Sequence, residues 1–132
     1  MTLIFNPITQ LTSEHFDLLL EADPSKELVE NYFNRSTTFE VLKDFDLVGI
    51  IVLIETRPDS IEIVNISVHQ NHQNKGYGQE TLRFAIQYAK ENNYDHFSLD
   101  SGHQRKDAHR LYLNHGLDIT AHHFGKDVKD LK

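Results

Sequence analysis

The stretch Ile61-Glu62-Ile63-Val64-Asn65-Ile66-Ser67-Val68 changes its hydrophobic phase part-way along. Ile61 and Ile63 take the odd positions, whereas Val64, Ile66 and Val68 take the even ones. A strand sends successive side chains to opposite faces, so the alternation cannot switch without an extra residue or a kink. A β-bulge or splay is therefore expected near Ile63–Asn65. A regular strand covered on both faces accounts for the same residues, and from the pattern alone the two stand about even. The next segment narrows the fold further. Gln73-Asn74-Lys75-Gly76-Tyr77-Gly78 leads into the clearest helix of the chain, Gly76 to about Asn92, with Leu82, Ala85, Ile86 and Ala89 as its apolar stripe.

The remaining elements alternate around this unit. Leu3 to Ile8 reads as a strand. Thr12 or Ser13 caps a helix with Phe16, Leu19 and Leu20 on its apolar face, and Ser25 caps a second carrying Leu28, Val29, Tyr32 and Phe33. Phe39, Val41 and Phe45 belong to the next strand, with a turn near Asp44–Asp46. Leu47 to Ile54 is almost wholly apolar, as a strand buried on both faces should be. Arg57-Pro58-Asp59-Ser60 then turns the chain back. After the long helix come a strand from Asp95 to Ser101 with Phe97 and Leu99 on one face, and a helix striped by Ala108, Leu111, Tyr112 and His115. Gly116 stops that helix, and a single last strand is expected from Leu117 to Val128. Strands and helices alternating in the second half predict an α/β fold with a partly parallel sheet.

At 132 residues the chain has the length of one domain, 1–132. Its longest apolar run is too short to cross a bilayer, and no Lys or Arg precedes Lys26, so neither a membrane span nor a signal peptide is expected. Cysteine is absent, which excludes an acyl-cysteine intermediate and fits a cytoplasmic location. A net charge of −7 argues against a nucleic-acid binder and favours cationic partners such as amines.

The Gly76-x-Gly78 segment lies where a strand gives way to a helix, so its backbone can approach an anion and its N–H groups can hold one. Such a pair alone is more often a plain turn, and neither a Walker loop nor a dinucleotide fingerprint is present. His69, His72, His103, His122 and His123 form no recognised metal pattern, so no metal is expected. Tyr112, on an apolar stripe, reads as a core residue when taken by itself.

Taken together, Ile61 to Val68, then Gln73-x-x-Gly76-x-Gly78, resemble the central motif of the GNAT acetyltransferases. Ala108-His109-Arg110-Leu111-Tyr112-Leu113-Asn114-His115-Gly116-Leu117 is similar to that family's A-x-x-x-Y-x-x-x-G-F segment, in the family's order and spacing, with Leu117 for the usual Phe. Arg105 stands where the family often has Asn. The resemblance implies a single-domain GNAT-type fold with a mixed, splayed central β-sheet and helices on both faces. It implies acetyl-CoA as cosubstrate and transfer of acetyl to a primary amine, a small molecule or a protein, by direct attack in a ternary complex.

In that family's pattern, the main chain of Ile66, Ser67 and Val68 pairs with pantetheine. Gln73, Asn74, Lys75, Gly76, Tyr77, Gly78 and Gln79 hold the pyrophosphate through N–H groups. The Ile66 N–H then polarises the thioester carbonyl, Tyr112 protonates the departing thiolate, and Glu62 accepts the amine proton unless a water does. For Glu62 a solvated strand residue is an equal alternative. A non-catalytic acyl-CoA-binding or protein-interaction module on the same fold is the rival function. The short C-terminal segment leaves no clear room for two strands, which would suit completion of the substrate wall by a second subunit, a homodimer.

Overall fold

The computed structural model describes residues 2–73, 75–100, 118–120 and 123–127. Its strands are β1 (Ile4–Ile8), β2 (Thr37–Lys43), β3 (Asp46–Arg57), β4 (Ser60–Val68), β5 (His96–Asp100), β6 (Asp118–Thr120) and β7 (His123–Asp127). Its helices are α1 (Ser13–Ala22), α2 (Lys26–Phe33) and α3 (Tyr77–Glu91), with a 3-10 turn at Gln70–His72. The strands form one sheet in the order β1-β2-β3-β4-β5-β7-β6, with only β4–β5 parallel among the described pairings.

Local chemistry sets the boundaries. Thr12 caps α1 in a capping box whose third helical residue is His15, and the Ser25 hydroxyl accepts from Leu28 N–H to start α2. At the far end of α3, Asn93 takes φ 63°, and Asn93 and Tyr94 return their N–H groups to the carbonyls of Lys90 and Ala89. This Schellman closure is why the helix stops where the sequence suggested.

β3 is buried from Val48 to Ile54 and divides its side chains between two layers. Ile50, Val52 and Ile54 pack with Leu18, Leu19, Val29 and Tyr32 of α1 and α2. Ile51 and Leu53 pack with Leu82, Ala85, Ile86 and Ala89 of α3 and with Phe97 and Leu99 of β5. Helices on both faces of a mixed sheet are thus observed. No helix among the described residues is long and apolar enough to cross a membrane.

Several expectations need correction. The segment after residue 117 holds two short strands rather than one, β6 and β7 pairing antiparallel, with β7 also pairing with β5. Phe45 is not a strand residue. It is 95% exposed at the tip of the β2–β3 hairpin, where Asp44 (φ 50°) and Phe45 (φ 74°) both take positive φ, as the two central residues of a type I′ turn must. Leu28, expected on the apolar face of α2, is exposed. The helix expected around Tyr112 lies outside the described residues.

Candidate active site

The irregularity in β4 is a bulge. Val52 pairs with Asn65 while the next residue, Leu53, pairs with Ile63, so Val64 is the extra residue. Its effect on the faces is direct. Ile61 and Ile63 sit in the α3 layer, Val64 packs against the α1–α2 layer, and Ile66 is back on the α3 side.

Two further facts open one edge of this strand. β4 pairs with β5 only from Ser60 to Ile63, opposite His96 to Leu99, while β5 carries β7 on its other edge. Beyond Ile63 no described strand lies along the β5 side of β4. On the other side, His69 N–H donates to Val48 O at 2.8 Å. Bonded and non-bonded pairs alternate in an antiparallel ladder, so 48/69, 50/67 and 52/65 exchange bonds while 49/68 and 51/66 do not. The N–H and C=O groups of Ile66 and Val68 therefore turn away from β3, toward the open edge. Val68 O accepts from Gln73 Nε2 at 3.2 Å, which ties the following loop back to this edge.

That loop ends at Gly76, the N-cap of α3, with φ 83° and no side-chain cap. A side chain would be strained there by the backbone alone, because an added Cβ meets nothing within 4 Å. The first helical bond runs from Glu80 N–H to Gly76 O, so the N–H groups of Gly76, Tyr77, Gly78 and Gln79 have no partner inside the helix. Lys75 is exposed beside them. Tyr77 divides its roles: its main chain opens α3, while its ring is buried with Leu3, Val41 and Val48. The edge of β4 thus suits an extended molecule bearing amides, and the start of α3 suits an anion at the end of it.

Glu62 lies half-buried between its strand neighbours, opposite Ile54 and Ser98, and the Ser98 hydroxyl donates to its Oε1 at 3.4 Å. Among the described residues, no group of His, Asp or Glu could hold a metal ion. Tyr112, Asn74, Arg105, His103 and His122 lie outside the described residues, so their places in the site are not described.

The sequence profile of the Acetyltransferase (GNAT) family matches residues 6–117. The chain belongs to the GNAT acetyltransferase family. The uncharacterized N-acetyltransferase YvbK of Bacillus subtilis is 34% identical over 126 residues, which cover 90% of this chain and 81% of that protein. A crystal structure of a Bacillus subtilis acetyltransferase in complex with CoA has a TM-score of 0.86 and 35% identity, covering 91% of this chain and 79% of that one. A GNAT family acetyltransferase from Elizabethkingia anophelis with acetyl-CoA bound has a TM-score of 0.83 and 32% identity, covering 89% and 77%.

Within this GNAT architecture, a feature that sequence reasoning missed is a buried polar cluster behind β4. Asn65 is 1% exposed, and its Nδ2 donates to Leu19 O at 3.0 Å and to Tyr32 Oη at 2.9 Å. The Ser67 hydroxyl donates to Asn65 Oδ1 at 3.0 Å. The available signal was two polar residues, Asn65 and Ser67, alternating inside an apolar strand, just where the hydrophobic phase changes.

Proposed function

We propose that residues 1–132 form one N-acetyltransferase domain that binds acetyl-CoA and transfers its acetyl group to a primary amine by direct attack in a ternary complex in the cytoplasm. The observation that carries this reading is the open edge of β4, turned outward after the Val64 bulge and running toward an uncapped α3. This donor set fits the cosubstrate: strand-like main-chain groups at Ile66 and Val68 suit pantetheine amides. The N–H groups from Gly76 to Gln79, with Lys75 beside them, suit a diphosphate.

Each role has a chemical reason. A primary amine with a pKa near 10 is almost wholly protonated at pH 7, so a base must take its proton before nitrogen can attack. Glu62, directly or through a water, is assigned that proton. The Ile66 N–H polarises the thioester carbonyl and supports the oxyanion as the C–N bond forms. Tyr112 gives its proton to the thiolate as the C–S bond breaks; the phenol's pKa near 10 suits a thiolate whose own is about 8–9.

The deciding experiment is a calorimetric titration with acetyl-CoA followed by a thiol-release assay against a polyamine, an amino acid, an aminoglycoside and a lysine peptide. The protein contains no cysteine to cloud the thiol signal. Saturable binding with turnover on at least one amine, reduced ~10²–10⁴-fold in kcat by Tyr112→Phe, is expected. Binding without turnover on any amine would point to a non-catalytic acyl-CoA module, and absence of binding would overturn the reading.

A further inference from the structure

We propose that Asn65 is a positioning residue for acyl transfer: its three hydrogen bonds hold the Asn65–Ile66 peptide so that the Ile66 N–H faces the reacting carbonyl. This rests on the acetyltransferase reading above, in which that N–H is the oxyanion donor.

The placement is specific. The Ile66 N–H belongs to the peptide unit that begins at Asn65, the first residue after the bulge. The 52/65 ladder pair sends the Asn65–Ile66 peptide outward, but the bulge interrupts the ladder immediately before it, so the tilt of that peptide depends on a second anchor. Asn65 supplies it. Its amide spends both hydrogens, on the Leu19 carbonyl in the last turn of α1 and on the Tyr32 hydroxyl of α2, while Oδ1 accepts from Ser67. Asn65 and Ser67 are thereby tied to the α1–α2 face, and Ile66 between them is packed on the α3 face. The peptide is held from both ends.

Core stability alone does not call for this arrangement. Asn65 lies beside Val64, Leu19 and Tyr32, where an apolar side chain of similar volume would bury well without needing three partners. The amide provides direction instead. It also joins α1 and α2 to the strand that carries the proposed oxyanion donor, so the two helices and that N–H share one rigid frame.

The test compares wild type with Asn65→Leu, which keeps the branched shape and removes the bonds, and with Tyr32→Phe and Ser67→Ala, which remove one bond each. Four readouts are taken: acetyl-CoA affinity by calorimetry, kcat on the amine found by the thiol-release screen, melting temperature, and the infrared band of the thioester in bound carbonyl-¹³C acetyl-CoA. Removing an oxyanion donor outright costs about 10²–10³ in kcat, so a donor present but misaimed should cost about 10- to 100-fold. Asn65→Leu is expected to show that loss with acetyl-CoA affinity within about threefold, and its carbonyl band should move back toward that of the free thioester. Tyr32→Phe and Ser67→Ala should move in the same direction by less.

Unchanged kcat and band in Asn65→Leu, beside a displaced band in wild type, would overturn the positioning role and leave the acetyltransferase reading intact. An undisplaced band in wild type would overturn the positioning role together with the Ile66 oxyanion assignment, and no binding would overturn the acetyltransferase reading as well. If Asn65→Leu does not fold, the two milder variants decide, and a melting-temperature loss in them with no change in band or kcat assigns the cluster to stability alone.

Discussion

Replacing Gly76 by Asn, Ala and Val should damage the protein in that order. Gly76 holds φ 83° at the N-cap of α3, and an added Cβ meets nothing within 4 Å. Steric crowding by neighbours is thereby removed from the comparison, and only the backbone penalty of a left-handed conformation is left. That penalty is about 1–2 kcal/mol for an ordinary L-residue, smaller for Asn, whose side chain tolerates the region, and larger for β-branched Val. For a chain of 132 residues, 1 kcal/mol corresponds to about 3–5 °C in melting temperature. Gly76→Ala should therefore melt about 3–10 °C below wild type, provided the loop keeps its shape. If the loop instead relaxes out of the left-handed region, the thermal loss shrinks but the N–H groups at the start of α3 move out of the proposed diphosphate site. Each lost charge-assisted bond is then worth about 1.5–3 kcal/mol, or roughly 10- to 150-fold in acetyl-CoA affinity. Thermal melts and calorimetric titrations on the same four proteins separate the two routes. An Asn variant as impaired as Val, or a Val variant unchanged in both assays, would refute the reasoning.

Three other outcomes are expected. Phe45→Gly should raise the melting temperature by about 2–4 °C: relief of about 1–2 kcal/mol at φ 74° outweighs glycine's entropy cost of about 0.5–1 kcal/mol, and a 95% exposed ring gives up no burial. Gly49→Ala should destabilise by about 1–3 kcal/mol in a urea melt, since its Cβ would lie 2.8 Å from the Ser67 carbonyl oxygen and one strand must shift. Burial pushes the Glu40 carboxyl up, but hydrogen bonds from Asn6 and His15 outweigh it and hold the group below its ordinary 4.5, favouring the ionised native state. Its contribution is full above that value and fades as pH falls through the folded one, so the melting-temperature gap between wild type and Glu40→Gln should narrow below about pH 4.5.

The parts of the fold that were legible in the sequence are those where one physical signal acts alone. The phase change between Ile63 and Val64 pointed to the bulge that the register shows, although a regular strand covered on both faces would have carried the same residues. Thr12, Ser25 and the Leu82-Ala85-Ile86-Ala89 stripe located helices by capping and periodicity. Phe45 was misread because hydrophobicity suggested a strand while the turn geometry, set by the length of the β2–β3 connection, overrode it. The expected single strand from Leu117 to Val128 failed for a related reason: the apolar pattern gives no mark of the break between β6 and β7. In the candidate site, the glycines and the bulge were readable from local rules. The Asn65 cluster was not, since its partners, Leu19 and Tyr32, lie 46 and 33 residues away in the chain.

An open strand edge is a hazard as well as a ligand platform, because it can recruit a strand from another chain. The geometry of β4 limits that hazard by its length. From the bulge to the end of the strand, only Ile66 and Val68 turn N–H and C=O groups outward, and Gln73 already donates to one of those carbonyls. Strands of globular proteins usually run to about five or six residues, so two outward residues offer little to an intruding chain. In the proposed reading they suffice for a ligand that brings a pair of amides and an anionic end, with the start of α3 assigned the rest of the affinity. The end of the β4–β5 pairing at Ile63 opens this edge and the end of the strand at Val68 closes it, so the proposed ligand platform stays short.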